Sequence, residues 1–292
     1  MKILNRLPAS VCVIALALGC AAGAAETAVA PHSVRVVSQT VGSDELLLAL
    51  AEPEQIAALS HIARDPAYSV VSAEAKKFPQ IVQGDAETIL KFAPTLVLGA
   101  DYSRTELLAQ VRRAGVKVII FDRYKTLDDA FANLRLLGRE LGPDAVARAE
   151  RIIADGRARM DALEKKLRGQ QPVRVIAPST YGVVGGADTT FQDLCDHAGA
   201  INLAATLGHL TGHMPPPGEQ MLMWPVDKLV VSGTNATAAL APFRTLPPYQ
   251  FMAAVRESRA VLIDESMLSC VSHRRIDGYE QLARALHPEV FK

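Results

Sequence analysis

The sequence predicts an α/β protein with two lobes joined by a long helix, and three observations support this prediction. The chain has 292 residues, more than one small core usually organises. Strand-like and helix-like segments alternate in two stretches, and a stretch without strands separates them. The segment ETILKFAPTLVLG at 87–99 has a counterpart in EQMLMWPVDKLVVSG at 219–233, which begins 132 positions later (219 − 87).

The first alternating stretch begins with the β-branched run VRVVS and continues with DELLLALAE, whose apolar spacing is helical behind Asp44 as a candidate N-cap. Gly115 is a typical helix stop before the next strand. The elements predicted here are strand 34–38, helix 44–52, strand 55–60, a polar loop 61–80, helix 86–92, strand 95–99, helix 104–115 and strand 116–122. This order predicts a parallel sheet covered on both faces.

The middle of the chain predicts two consecutive helices. LDDAFANLRLLGRELG at 127–142 ends at Gly142-Pro143, and a longer helix follows over 144–168. At about 1.5 Å per residue the longer helix can span both lobes. Its predicted packing stripe comprises Val146, Ala149, Ile153, Met160, Leu163 and Leu167.

The second alternating stretch repeats the plan of the first. Its predicted elements are strand 173–178, a glycine-rich turn 181–190, helix 191–200, the second acid, helix and strand unit, helix 241–257, strand 259–268 and helix 277–288. The sequence therefore predicts two Rossmann-like lobes with central parallel sheets joined by one rigid backbone helix. We place the N-terminal lobe at 33–125, the linking helices at 126–170 and the C-terminal lobe at 171–292.

The N-terminus resembles a secretion signal over residues 1–25. Lys2 and Arg6 precede a short apolar run, and small residues follow near Ala24 and Ala25. Lipoprotein processing at Cys20 is the alternative. We therefore expect a periplasmic protein, in which Cys195 and Cys270 either form a disulfide or remain separate buried thiols.

Composition and motifs narrow the function classes. Lysine plus arginine and aspartate plus glutamate number 31 each, so no basic surface for nucleic acid is predicted. The chain has no G-x-S-x-G elbow, no P-loop and no G-x-G-x-x-G after a strand. We expect no enzyme and no cofactor, and a periplasmic metal-dependent hydrolase is a remote alternative.

Three segments, 87–98, 219–231 and GGADTTFQDLCDHAGAINLA at 185–204, resemble the periplasmic substrate-binding proteins of ABC importers. The resemblance is to the helical-backbone class that carries vitamin B12, ferric siderophores or haem. It implies a monomer that delivers a small-molecule metal chelate to a permease and ATPase complex in the inner membrane. It also implies that Glu87 and Glu219 dock on the permease; their alternative role is to complement helix dipoles.

The ligand cleft is expected where the strands' carboxyl ends of both lobes face each other. Tyr102 and Tyr181 follow strands and can stack on a flat macrocycle or donate a hydrogen bond; half-buried loop tyrosines are the equal alternative. The other candidates are polar or cationic loop residues: Ser60, His61, Arg104, His209, His213, His273 and Arg274.

The histidines leave a second interpretation of the bound ligand open. His209 and His213 lie four apart in a loop, and His61 and His273 lie in other candidate cleft loops. Such a set can bind a bare divalent metal such as zinc or manganese, or contact an organic ligand. We therefore expect a ferric siderophore or corrinoid first and haem next, with a bare metal ion as the alternative.

Overall fold

The computed structural model describes residues 34–81 and 84–292, so the predicted signal segment at 1–25 lies outside the described residues. It contains two four-stranded parallel sheets and one antiparallel pair. The strands are β1 (Val36–Ser38), β2 (Ile56–Ala58), β3 (Leu96–Ala100), β4 (Lys117–Phe121), β5 (Val173–Ile176), β6 (Val184–Gly185), β7 (Ala200–Asn202), β8 (His213–Met214), β9 (Lys228–Ser232) and β10 (Ala260–Ile263).

The two large sheets have the same topology. The first sheet has the order β2-β1-β3-β4, and the second, read from its other edge, has the order β7-β5-β9-β10. In both, the first strand of the half lies between the second and the third. The predicted doubling of one strand and helix plan is therefore confirmed in the strand order, as is the α/β fold class.

The helices run between these strands and cover both sheets. They are α1 (Val41–Leu50), α2 (Ser72–Ala75), α3 (Ala86–Leu90), α4 (Thr105–Arg113), α5 (Leu127–Leu141), α6 (Pro143–Leu167), α7 (Thr190–Ala198), α8 (Leu203–Thr206), α9 (Ala236–Leu240), α10 (Ala253–Arg256), α11 (Glu265–Leu268) and α12 (Arg275–Leu286). In the described part of the chain, no helix combines the length and apolarity that crossing a membrane requires.

Side chains alternate between the two faces of each sheet. Val36 packs into the large central core, whereas Val37 packs under the outer helices of the first sheet. In the second sheet Val230 faces the central core, and Leu229 and Val231 face the outer helices. Both faces of the inner strands β1, β3 and β9 are buried along most of their length, which explains their continuous apolar runs in the sequence.

The 25-residue helix α6 is the long helix predicted between the lobes. Its residues Ala149 and Ile153 belong to the same buried cluster as Leu134 of α5 and Tyr279 of α12. Because one core runs across α5, α6 and α12, the two sheets are packed against a shared helical layer. The lobe boundaries proposed from the sequence stay a prediction.

Gly156 lies where α6 passes between α5 and α12. A Cβ added there would stand 2.9 Å from Phe131 Cζ and 2.9 Å from Ile276 Cδ1. We expect Gly156→Val to lower the free energy of unfolding by about 1–3 kcal/mol through overpacking. Urea unfolding measures this loss. The matched control is Ala158→Val, exposed on the same helix, where the loss should be about 0.5 kcal/mol from helix propensity alone; equal losses would contradict the packing argument.

Three element predictions need correction. Helix α1 starts at Val41 with Thr40 as N-cap, because the Thr40 hydroxyl accepts from the Ser43 N–H and Ser43 bonds back to the Thr40 N–H. The predicted helix 241–257 is broken into short turns by the Pro247-Pro248 pair. The predicted strand 259–268 ends at Ile263, and α11 replaces its second half.

Candidate functional site

A cavity of about 260 Å³ lies at the carboxyl ends of the strands. Its lining comes from the loops after β1, β2 and β3 of the first sheet and from the segment after β10 of the second. Ligands in α/β folds bind at this edge because loops from several strands converge there. The lining residues are Gln39, Thr40, Val41, Gly42, Glu45, His61, Ile62, Tyr68, Tyr102, Ser269, Cys270 and Val271.

The floor of this cavity is the first turn of α1. Asp44 is fully buried, and its carboxylate oxygens accept hydrogen bonds from the Ser60 N–H at 3.0 Å and from the Ser60 hydroxyl. Burial raises the pKa of Asp44 from 3.8 to about 7, although the bonds from Ser38 and Ser60 oppose the rise. Ser60, predicted as a ligand contact, is 1% exposed and is engaged with Asp44.

Glu45 connects the floor to the second lobe. It is 2% exposed, and the Cys270 thiol lies 3.5 Å from its Oε2 atom. Burial raises the pKa of Glu45 above its ordinary value, while bonds from Ser272 and Cys270 lower it. A Cβ on Gly42 would stand 2.4 Å from Val271 Cγ2, so glycine is needed where the two lobes meet.

Three exposed tyrosines surround the cavity. The chain has six tyrosines, and the exposed ones are Tyr68 at 47%, Tyr102 at 65% and Tyr181 at 83%. The pKa of Tyr68 is raised, first by Tyr181, then by partial burial and by Glu265. Tyr68 of the first lobe therefore faces Tyr181 and Glu265 of the second. Tyr102 meets Tyr124 edge to face, with ring centroids 6.0 Å apart.

Among the residues predicted from sequence, only His61 and Tyr102 line this cavity, and Tyr181 faces its rim. Arg104 is exposed and donates to the Gly84 carbonyl at 3.3 Å. His209 and His213 are exposed residues on either side of the turn at Gly212, and His209 has a φ of +50°.

His273 and Arg274 follow the lining segment Ser269–Val271 in the chain, but they do not line the cavity themselves. Burial lowers the pKa of His273 to about 4, with the Arg274 charge as the second cause, so the imidazole is neutral at pH 7. His273 Nδ1 is buried without a hydrogen-bond partner among the described residues. The ligand-binding assignments of the predicted residues stay predictions.

Two further features bear on the open alternatives. Cys195 and Cys270 are free and buried, so the separate-thiol reading describes this structure. No group of three or more His, Cys, Asp or Glu side chains within residues 34–81 and 84–292 is placed to hold a metal ion. A larger groove of about 880 Å³ lies along α6 between α5 and α7, away from the strands' carboxyl ends.

The two predicted docking acids occupy equivalent positions. Glu87 lies in the first turn of α3, nine residues before β3 (96 − 87), and Glu219 lies in the 3-10 helix Gly218–Met223, nine before β9 (228 − 219). Both are exposed. The second copy of the helix predicted from sequence is therefore a 3-10 turn, and the spacing from acid to strand is unchanged.

The sequence reading missed Tyr68, Asp44 and Glu45 as parts of the site. Tyr68 lies in the polar loop after β2, where Tyr68 and Phe78 are two aromatic residues among mostly small and charged ones, and nothing in the pattern distinguished Tyr68. Asp44 was interpreted as an N-cap, because an acid before an apolar helical pattern is typical of one. Because α1 begins earlier, at Val41, Asp44 and Glu45 lie inside the helix, and both side chains are buried.

Comparison with known proteins places this geometry in a family. A family model described as periplasmic binding protein matches residues 36–267. A solved structure of the haem-binding protein RhuT from Roseiflexus sp. RS-1 superposes with a TM-score of 0.75 at 26% identity, covering 88% of this chain and 99% of that one.

Two curated relatives are similar over most of the chain. An uncharacterised ABC transporter substrate-binding lipoprotein of Bacillus subtilis (strain 168) is 21% identical over 75% of this chain and 71% of its own. A cobalamin-binding protein of Halobacterium salinarum is 23% identical over 70% of this chain, and this chain spans 56% of its length. With the family model matched over most of both lobes, the chain belongs to the periplasmic binding protein family.

Proposed function

We propose that this protein binds a metal tetrapyrrole, either haem or a corrinoid, in the cleft between its lobes and delivers it to an ABC importer. The observation that carries the proposal is the set of Tyr68, Tyr102 and Tyr181, three exposed aromatic rings on loops of both lobes around one cavity. Flat macrocycles bind by stacking on such rings. The similar proteins named above as haem-binding and cobalamin-binding support the same ligand class.

The charge of the cavity separates the candidate chelates. Among the described residues, its lining contains no lysine or arginine and a single acid, Glu45, which is buried with a raised pKa. A ferric catecholate siderophore carries several negative charges and would need cations in this place. A corrinoid is close to neutral, and haem can leave its two carboxylates at the solvent edge. We therefore rank a ferric siderophore below the tetrapyrroles as the proposed ligand.

The facing phenols of Tyr68 and Tyr181 give haem a specific advantage. Two phenolates would repel each other, and this repulsion by Tyr181 is the largest cause of the raised Tyr68 pKa. A ferric ion between the lobes reverses this effect, because its charge stabilises a coordinating phenolate. Tyrosine is an established haem ligand. The 260 Å³ cavity is smaller than the roughly 300–1,000 Å³ of common ligand sites, so it receives one edge of a macrocycle.

Transport requires docking as well as binding. We assign docking to Glu87, whose side chain is 81% exposed, and to exposed Glu219, one on each lobe. The proposed partner is a permease and ATPase complex in the inner membrane, and the proposed location is the periplasm. Secretion through the segment at 1–25 and lipid anchoring at Cys20 are both compatible with that role.

The bare-metal alternative has no comparable support among the described residues, since none of their His, Cys, Asp or Glu groups is arranged as a metal site. Metal analysis after EDTA treatment still separates the two. A tightly held zinc or manganese ion would favour the alternative.

Titration of the apo-protein with ferric haem, cyanocobalamin and a ferric catecholate tests the ligand class. We expect saturable absorbance changes with one tetrapyrrole and none with the catecholate. Tyr68→Ala and Tyr181→Ala should each weaken that binding about 10-fold or more through lost aromatic contact. If iron is ligated, Tyr181→Phe or Tyr68→Phe also changes the haem spectrum.

The matched control is Tyr124→Phe, a change at the partly buried tyrosine beside Tyr102 that removes only its bond to Asp101. It should bind as the parent protein does. Absence of tetrapyrrole binding by the apo-protein, or unchanged affinity in the Tyr68→Ala/Tyr181→Ala double variant, would refute the proposal.

A further inference from the structure

The tips that carry Glu87 and Glu219 occupy equivalent positions before their strands but differ in chemistry. Two residues after each acid, Ile89 and Met221 are both fully buried, so the two segments face their sheets in the same register. Four residues after each acid the side chain is exposed. That residue is a lysine in the first lobe and a methionine in the second.

In the first lobe the acid is already paired. Lys91 Nζ lies 3.0 Å from Glu87 Oε1, with the two side chains 68% and 81% exposed. The first tip therefore presents a neutral ion pair. A cationic partner must displace Lys91, or accept its repulsion, before it can use the Glu87 carboxylate.

In the second lobe the acid shares its 3-10 helix with an exposed apolar side chain, that of Met223. Met223 is 85% exposed, Leu207 is 48% exposed and Met214 is 44% exposed. Among the described residues, Glu219 makes no ion pair within 4 Å. The Trp224 ring would lie 2.8 Å from a Cβ on Gly208, so the Leu207 and Met223 segments are packed together.

Among the described residues of the first lobe, the exposed large hydrophobic side chains are Tyr68 and Tyr102, which belong to the cleft, and Val146, which lies on α6, so none of them belongs to the segment that carries Glu87. Isolated exposed hydrophobic residues are ordinary, but Met223 lies on the same 3-10 helix as Glu219, and Leu207 lies on the segment packed against that helix's end. Exposed apolar side chains beside an acid that has no ion pair among the described residues are typical of a protein contact surface.

We propose that the second-lobe tip, formed by Leu207, Glu219 and Met223, is the dominant docking surface for the permease. The partner surface that fits it is a guanidinium beside an apolar pocket, since the tip offers one free carboxylate within an apolar rim. Apolar anchors with a desolvated charge supply most of the affinity in protein contacts. The first-lobe tip with Glu87 and Lys91 then contributes more to the orientation of the docked protein than to its affinity for the permease. This inference rests on the docking role assigned under the proposed function.

The test uses the full mature chain and its ABC permease and ATPase complex in lipid nanodiscs, with the dissociation constant as readout. We expect Glu219→Gln and Met223→Ser each to weaken binding about tenfold. Glu87→Gln should weaken it only about twofold, and Lys91→Met should strengthen it about twofold by freeing Glu87. Titration with whichever of ferric haem and cyanocobalamin the parent protein binds must give the parental affinity for all four variants.

The outcomes separate this inference from the function it rests on. Equal losses for Glu87→Gln and Glu219→Gln, or normal docking by Met223→Ser, overturn the asymmetry and leave two-tip docking intact. Normal docking by the Glu87→Gln/Glu219→Gln double variant removes the docking role itself. Sedimentation of the isolated protein checks whether a second copy of this chain is the occupant: a dimer that Met223→Ser dissociates would also overturn the proposal.

Discussion

Replacing Arg275 with methionine is expected to lower the free energy of unfolding by about 3–5 kcal/mol, the typical loss when one partner of a buried ion pair is removed. Arg275 is 1% exposed and lies 2.8 Å from Asp193 Oδ2. The guanidinium also donates to three backbone carbonyls, those of Tyr124, Lys125 and Cys270. Methionine fills a similar volume but leaves the buried carboxylate and these carbonyls without their donor.

Arg275 connects segments that are far apart in the chain, so its replacement affects contacts between both alternating stretches. Tyr124 and Lys125 end the first lobe's chain just before α5, whereas Asp193 and Cys270 belong to the second lobe. The Tyr279 hydroxyl also donates to Asp193, and burial raises the Tyr279 pKa, so this donor keeps its proton. The cluster therefore connects the end of the first alternating stretch to α7 and α12 of the second.

Urea unfolding at pH 7 measures the effect, with Arg174→Met as the matched control. Arg174 makes an equally well-formed pair with Asp227, at 2.6 and 2.8 Å, but the two side chains are 44% and 37% exposed. Its loss should be about 1 kcal/mol or less. The double variant Arg275→Met/Asp193→Asn should lose less than the sum of its single changes. Similar losses for Arg275→Met and Arg174→Met would contradict the assigned role.

Replacing Asp44 with asparagine is expected to stabilise the protein at pH 7 and above by up to about 4 kcal/mol, and by little near pH 4. Burial raises the Asp44 pKa from 3.8 to about 7. Each pH unit between these values corresponds to about 1.4 kcal/mol. Between pH 4 and 7 the folded protein keeps a proton that the unfolded chain releases, so stability falls as pH rises through that window. Asparagine stays neutral and removes this loss.

The measurement is the difference in unfolding free energy between Asp44→Asn and the parent protein at several pH values from 4 to 8. The difference should grow up to about pH 7 and then level off. Glu45 is present in both proteins, so its own raised pKa contributes to both curves. Asp227→Asn is the control: Arg174 lowers the Asp227 pKa, so this carboxylate is charged in both states and its difference should be flat over the window. A flat difference for Asp44→Asn as well would show that Asp44 is ionised in the folded protein.

The elements that the sequence predicted well are those whose apolar pattern is long. The long helix α6 and the apolar runs of β3, β4 and β9 depend on burial of whole faces, so period and length indicated these elements correctly. Within the predicted stripe of α6, Ala149, Ile153 and Leu163 are buried, whereas the prediction was wrong for Val146, which is 36% exposed. The short turns around Pro247 and the 3-10 helix at Gly218–Met223 carry too few residues for a period, and there local backbone chemistry decided the conformation.

The candidate site was harder to predict than the fold. Tyr102 and His61 were found because each follows a strand, and strand ends converge at one edge of a parallel sheet. Tyr68 was not found, because the amino-acid sequence of a loop does not indicate which of its side chains points toward the other lobe. Arg275 could not be distinguished from Arg274 by sequence, because the two arginines are adjacent. Only its packing shows that Arg275 is a buried contact between distant segments of the chain.

By itself the sequence determined the α/β class, the doubled plan and the equivalent places of Glu87 and Glu219, because these follow from apolar periodicity and from a repeat along one chain. The tertiary structure alone decided which carboxyl groups are buried, which phenols face each other and which acid is paired with a lysine. Desolvation and charge pairing depend on distances between residues far apart in the chain, and those distances exist only after the two lobes have packed on their shared helices.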